Sequence, residues 1–90
     1  MSNEIPLDLK VAVEIYRLGG MATARNIYRK FDNVPVNEIS KCIDKLLDLG
    51  IITSDWKRVN NRTSIQIYNV SKDASGFIGA ISKELSKNER

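Results

Sequence analysis

The sequence predicts an α+β domain of four helices and one β-hairpin, and three observations carry that expectation. Apolar residues recur at helical spacing in four segments, two β-rich runs lie together at residues 51–56 and 63–70, and turn-forming residues divide the segments at Gly19-Gly20, Asp32-Asn33 and Asn60-Asn61. The chain has 90 residues, room for one domain, which is taken to span residues 5–86 with no internal repeat or long linker.

The first helix is expected from Pro6 to Leu18. Proline suits a first helical turn, Leu7, Val11, Ile15 and Leu18 with Ala12 and Tyr16 supply an apolar face, and Gly19-Gly20 stops it. Met21-Ala22 leaves room only for a stub of strand. Thr23 is placed as the N-cap of a second helix reaching about Phe31, with Ile27 and Phe31 inward, Tyr28 beside them, and Arg25, Arg29 and Lys30 outward. Tyr16, Tyr28 and Phe31 are all expected in the core. Asp32-Asn33-Val34-Pro35 ends the second helix, because proline confines its predecessor to extended backbone.

A third helix follows from about Pro35 to Leu49, making residues 24–49 a helix-turn-helix pair. Its apolar stripe is Ile39, Cys42, Ile43, Leu46, Leu47 and Leu49, and its outer face is Asn37, Glu38, Ser40, Lys41, Asp44, Lys45 and Asp48. Gly50 stands just beyond, where a left-handed residue closes a helix. Ile51–Trp56 and Thr63–Val70 read as the strands of a hairpin turning at Asn60-Asn61, a pair able to take the left-handed conformation of a two-residue turn. That turn would pair Trp56 with Ile65 and Ser54 with Ile67. Ile51, Tyr68 and Val70 would then face the core, while Trp56, Ile65 and Ile67 would await a partner, a second subunit or the last helix.

Ser71 is placed as the cap of a fourth helix from about Lys72 to Ser86, with Phe77, Ile81 and Leu85 on one line and Ala74 and Ile78 adjoining. Gly76 and Gly79 each lower its intrinsic helicity by about 1 kcal/mol relative to alanine, so packing must hold it. Phe77, Ile78, Ile81 and Leu85 are expected to form a homodimer interface; the competing expectation is that this stripe folds back on Leu7, Val11 and Ile15.

Composition narrows the function. The chain has no histidine and one cysteine, Cys42, so histidine-dependent catalysis, zinc-finger chemistry and an internal disulfide fall away. No phosphate-binding glycine loop or nucleophile elbow is present. The expectation is a protein that is not an enzyme and needs no metal or cofactor, with Cys42 as an ordinary core residue. No segment approaches the length of a membrane span, and the start Met-Ser-Asn-Glu-Ile-Pro lacks the features of a signal peptide, so a cytoplasmic location away from membrane is expected. The formal charge is +3, and the excess cations gather in residues 21–34 and 51–70, each with three cations against one acid.

The stretch Val34-Pro35-Val36-Asn37-Glu38-Ile39-Ser40-Lys41-Cys42-Ile43-Asp44-Lys45-Leu46-Leu47-Asp48-Leu49-Gly50-Ile51-Ile52 resembles the recognition helix of winged helix-turn-helix domains and the step that leads from it into the wing. Ile67-Tyr68-Asn69-Val70-Ser71 is similar to the step from the second wing strand to the last helix in MarR-like and PadR-like regulators. The resemblance spans about Leu7 to Lys83. It implies a three-helix core with a β-hairpin wing at about 51–70, a C-terminal helix at about 72–86, and sequence-specific binding of double-stranded DNA by a transcriptional regulator.

In such a domain the N-terminal half of the third helix enters the major groove. Asn37 would then pair with adenine, Glu38 accept from cytosine, Ser40 donate or accept, and Lys41 reach guanine or phosphate, with Lys45 on the same face. Lys57, Arg58, Asn60, Asn61 and Arg62 on the wing would meet the backbone or minor groove, and Arg25 a phosphate. Two alternatives stay open: a winged helix used for protein contact, and a plasmid or viral protein that organises or partitions DNA. Glu38, Asp44 and Asp48 favour the first of these, since they leave the third helix with a net negative charge.

Overall fold

Pro6 caps the first helix. In the computed structural model, which describes residues 5–88, α1 spans Leu7–Leu18, and the Pro6 carbonyl accepts from the amides of Leu9 and Lys10 at 3.0 and 3.1 Å. A 3-10 turn over Gly19–Met21 follows and takes in Met21, the first residue of the expected stub of strand. Its neighbour Ala22 still reaches the hairpin, because its carbonyl accepts from the Tyr68 amide at 2.9 Å.

Helix α2 spans Ala24–Arg29, and the Thr23 hydroxyl accepts from the Asn26 amide at 3.1 Å, the expected cap. The helix ends before Phe31, in bonds from Lys30 to Ile27 and from Phe31 to Tyr28 that tighten its last turn. Helix α3 spans Val36–Asp48. Gly50, at φ +75°, closes it: the Gly50 amide donates to Leu47 at 3.1 Å and the Ile51 amide to Leu46 at 3.0 Å, the paired bonds of a Schellman motif. Leu49, expected on the buried stripe, is 62% exposed, because as the cap residue it lies where the chain turns away from the core.

Strands β1 (Ile52–Arg58) and β2 (Ser64–Val70) form an antiparallel pair. The register differs by one residue from the expected one: Trp56 faces Gln66, Ser54 faces Tyr68 and Ile52 faces Val70. The cause is the turn. Among the described residues no non-glycine has positive φ, so Asn60-Asn61 does not form a left-handed pair. Instead the Asn60 carboxamide oxygen accepts from the amides of Arg62 and Thr63 at 2.8 and 2.9 Å, and Val59 donates to the Thr63 carbonyl at 3.0 Å, which closes a three-residue loop. A slip of one residue exchanges faces. Trp56 therefore shares a side with Ile52, Tyr68 and Val70, while Ile65 and Ile67 lie on the other, opposite Lys57 and Asp55.

Helix α4 spans Ser75–Asn88, three residues later than expected. The Ser71 hydroxyl does accept from the Ala74 amide, at 3.3 Å, but it closes a separate turn ahead of the helix.

The core joins the four helices and β1, with Tyr68 and Val70 of β2 packed against it. Val11, Ala12, Val13 and Ile15 of α1 are buried with Ile27 of α2, Ile39, Ile43 and Leu46 of α3, Ile52 of β1 and Ile78 of α4. Helix α1 packs against both α3 and α4, which is why its apolar face is wider than one stripe and includes Val13. This corrects the expected role of the last helix. Ile78 is 0% exposed, Ile81 and Leu85 pack on the core, and of the proposed dimer stripe only Phe77 stands out, at 61%. The chain's own α1 takes up the surface reserved for a second copy.

Arg17 fastens the two helices. Its guanidinium donates to the Ser82 hydroxyl at 2.9 Å, the Ser82 carbonyl at 3.0 Å and the Ser86 hydroxyl at 2.9 Å. Tyr16 is not in the core as expected but 44% exposed, its hydroxyl against Gly79, where a Cβ would come within 2.9 Å of it. The result is an α+β fold of four helices and one hairpin, compatible with the winged-helix resemblance. No helix among the described residues is long and apolar enough to cross a membrane.

Candidate nucleic-acid interface

The outer face of α3 carries Asn37, Glu38, Lys41, Asp44, Lys45 and Asp48 in the open, with Ser40 half-buried at its edge. Glu38 lies in the first turn, where a carboxylate favours the positive end of the helix. Lys45 is already engaged: its ammonium lies 2.8 Å from the Asp8 carboxylate at the start of α1. Counting Asp8, this side of the molecule presents Lys41 and Lys45 against four carboxylates. It does not attract phosphate by charge.

The Asp8 site is the one the sequence did not reveal, since its three members come from distant turns of α1 and α3. Asp8 accepts from Lys45 and from the Cys42 thiol, and these two hydrogen bonds, Lys45's first, hold its carboxyl below the usual carboxylate range. Burial pushes the Cys42 thiol up to about 11, and its bond to Asp8 adds to this. The thiol is thus protonated and donating at neutral pH, the opposite of a reactive cysteine. An open cleft of about 450 Å³ runs past this group, between Leu7, Val34, Pro35 and Lys41.

The pH consequence has a definite sign. A carboxylate whose folded value is depressed contributes stability above its unfolded value, and that contribution is lost as pH falls through the folded value. The melting temperatures of the protein and of an Asp8→Asn variant should therefore differ near neutrality and converge as the pH is taken down from about 4. A constant difference down to strong acid would mean that the pair holds no stability.

The hairpin is the contrasting surface. Lys57, Arg58, Asn60, Asn61 and Arg62 are all exposed, and from Thr53 onward β1 stands clear of the core. Asp55, the acid of this segment, turns its Oδ1 to the Trp56 amide at 2.8 Å. Among the described residues no carboxylate lies within ion-pair distance of Lys57, Arg58 or Arg62. The same holds for Arg25, Arg29 and Lys30, exposed on and just after α2. Of the residues chosen from the sequence, those of the hairpin thus place cations on both sides of the sheet and at its loop without carboxylate partners among the described residues, while those of α3 share their face with acids. No group of acidic or sulfur ligands suited to a metal ion occurs among the described residues.

Comparison with family models, with curated proteins and with solved structures found no match.

Proposed function

We propose that the chain is a winged-helix protein that binds double-stranded DNA through its hairpin first, and that it acts as a sequence-specific transcriptional regulator. The observation that carries this reading is the set of unpaired cations, Lys57, Arg58 and Arg62, on the exposed distal part of the hairpin. Cations without carboxylate partners release counterions when they meet phosphate, which is the main source of affinity for duplex DNA. Arg25 of α2 extends the contact along the backbone. Asn37, Ser40 and Lys41 of α3 supply hydrogen-bonding groups for base edges, and the acids beside them disfavour any register in which α3 approaches phosphate.

A salt titration on random-sequence duplex tests it. With roughly four to six phosphates neutralised per chain, log affinity should fall against log salt with a slope of about −4 to −5. Binding that is flat from low to physiological salt would overturn the reading. The acidic outer face of α3, with Lys45 held by Asp8, favours a second reading in which that face meets a basic protein surface.

A further inference from the structure

Trp56 is the largest exposed apolar side chain of the hairpin, at 67%, and the corrected register gives it specific company. Along β1, Arg58 lies two residues on and so on the same side of the sheet; directly across stand Gln66, facing Trp56, and Ser64, facing Arg58. One side of the distal hairpin thus offers a flat indole, a carboxamide beside it and an unpaired guanidinium next to both. Toward the root the same side turns into core at Ile52, Tyr68 and Val70, so the patch is the outward continuation of a buried surface.

Charge selects the partner. Asp55 lies on the other side of the sheet from the indole, and among the described residues no carboxylate is within ion-pair distance of Arg58 or Arg62, so the surface around the indole is positive and suits a polyanion. In an intact duplex the faces of the bases are covered by their neighbours, and an indole finds no flat partner there. A strand end or a fork uncovers one. Aromatic side chains flanked by cations suit unpaired nucleotides because every base has a π-face and a phosphate close to it.

We propose that the distal hairpin is a docking surface for DNA with unpaired bases, in which Trp56 stacks on a base, Gln66 meets its edge, and Arg58 with Arg62 of the loop holds the adjoining phosphates. The inference rests on the DNA-binding reading and deepens it, placing the preferred target at a fork or melted segment rather than along uninterrupted duplex.

Trp56 is the single tryptophan of the chain, so its emission reports on its own surroundings. The intact protein is titrated at low salt with a blunt duplex and with a forked duplex of the same length, followed by tryptophan emission and by anisotropy of labelled DNA. The fork is expected to quench Trp56 strongly and the blunt duplex weakly. Trp56→Ala should weaken fork binding between about five- and a hundredfold, the range of one lost stack, and blunt-duplex binding by less than about twofold. Trp56→Phe should recover most of the loss. Because the side chain is exposed, circular dichroism of the variants should match the parent.

If both DNAs bind alike and Trp56→Ala weakens neither or both equally, the unpaired-base inference is overturned while the duplex reading stands. If neither DNA binds, both fall. If emission shifts on vesicles containing phosphatidylserine but not on the fork, the surface belongs to a membrane contact and the inference is likewise overturned.

Discussion

Truncating Ile78 to alanine is expected to destabilise the protein by about 2–5 kcal/mol, the cost of emptying a fully buried branched side chain that its surroundings cannot refill. Ile78 is 0% exposed and sits where α4 meets the core shared by α1 and α3. For a domain of this size each kcal/mol moves the melting point by roughly 4–8 °C, so a fall of at least about 10 °C should be seen. Phe77→Ala, one residue away but outward, should change stability by no more than about 0.5 kcal/mol. Urea unfolding of the two variants measures the contrast. If α4 were instead chiefly a dimer contact, Ile78→Ala would dissociate a dimer with little loss in the monomer's own stability, and the parent's midpoint would rise with concentration.

The second large effect is on binding. Reversing two hairpin charges, Arg58→Glu with Arg62→Glu, should weaken binding to random duplex by about a hundredfold or more at low salt and make the salt slope shallower by about 2. The same variant should melt within about a degree of the parent, since both side chains are exposed and lack ion-pair partners among the described residues. Asn37→Ala should behave differently in kind: a loss of about 1–3 kcal/mol on a preferred site and little elsewhere. Equal losses on preferred and random duplexes would remove α3 as the reader of bases. Anisotropy titrations across a salt series distinguish these outcomes.

The parts legible in the sequence were those governed by neighbours along the chain. Thr23 caps α2 and Gly50 closes α3 because each acts on amides or carbonyls within a few residues. The hairpin was legible as a hairpin, but not in its register. Two residues at the tip can turn a chain by left-handed backbone or by a side chain, and Asn60 uses its carboxamide, which lengthens the loop by one and exchanges the faces of β1 relative to β2.

Contacts between distant turns were not legible at all. Asp8, Cys42 and Lys45 meet because α1 crosses α3, and Arg17 reaches Ser82 and Ser86 because α4 lies along α1. The apolar stripe of α4 was visible, whereas its partner was not. A stripe records only that it must be covered, and Val13 on the unexpected side of α1 was the residue that marked α1 as needing a second cover. For the candidate site, the cations of the hairpin were readable by type, and their freedom from carboxylates only in three dimensions.

The hairpin is fastened at its root: Ile52 is buried, Ser71 donates to the Ile51 carbonyl at 2.8 Å, and Tyr68 donates to Ala22. Amide protons should therefore exchange along a gradient, slowly at Tyr68 and Ser71 and fast toward Val59, with the distal half opening at much lower free energy than the domain unfolds. An arm of that kind can reorient on a ligand without disturbing the interior. Substitutions at its tip then alter what is held without taxing the fold, so recognition and folding are free to drift separately in this chain, and a new specificity can arise at the tip while the four helices stay as they are.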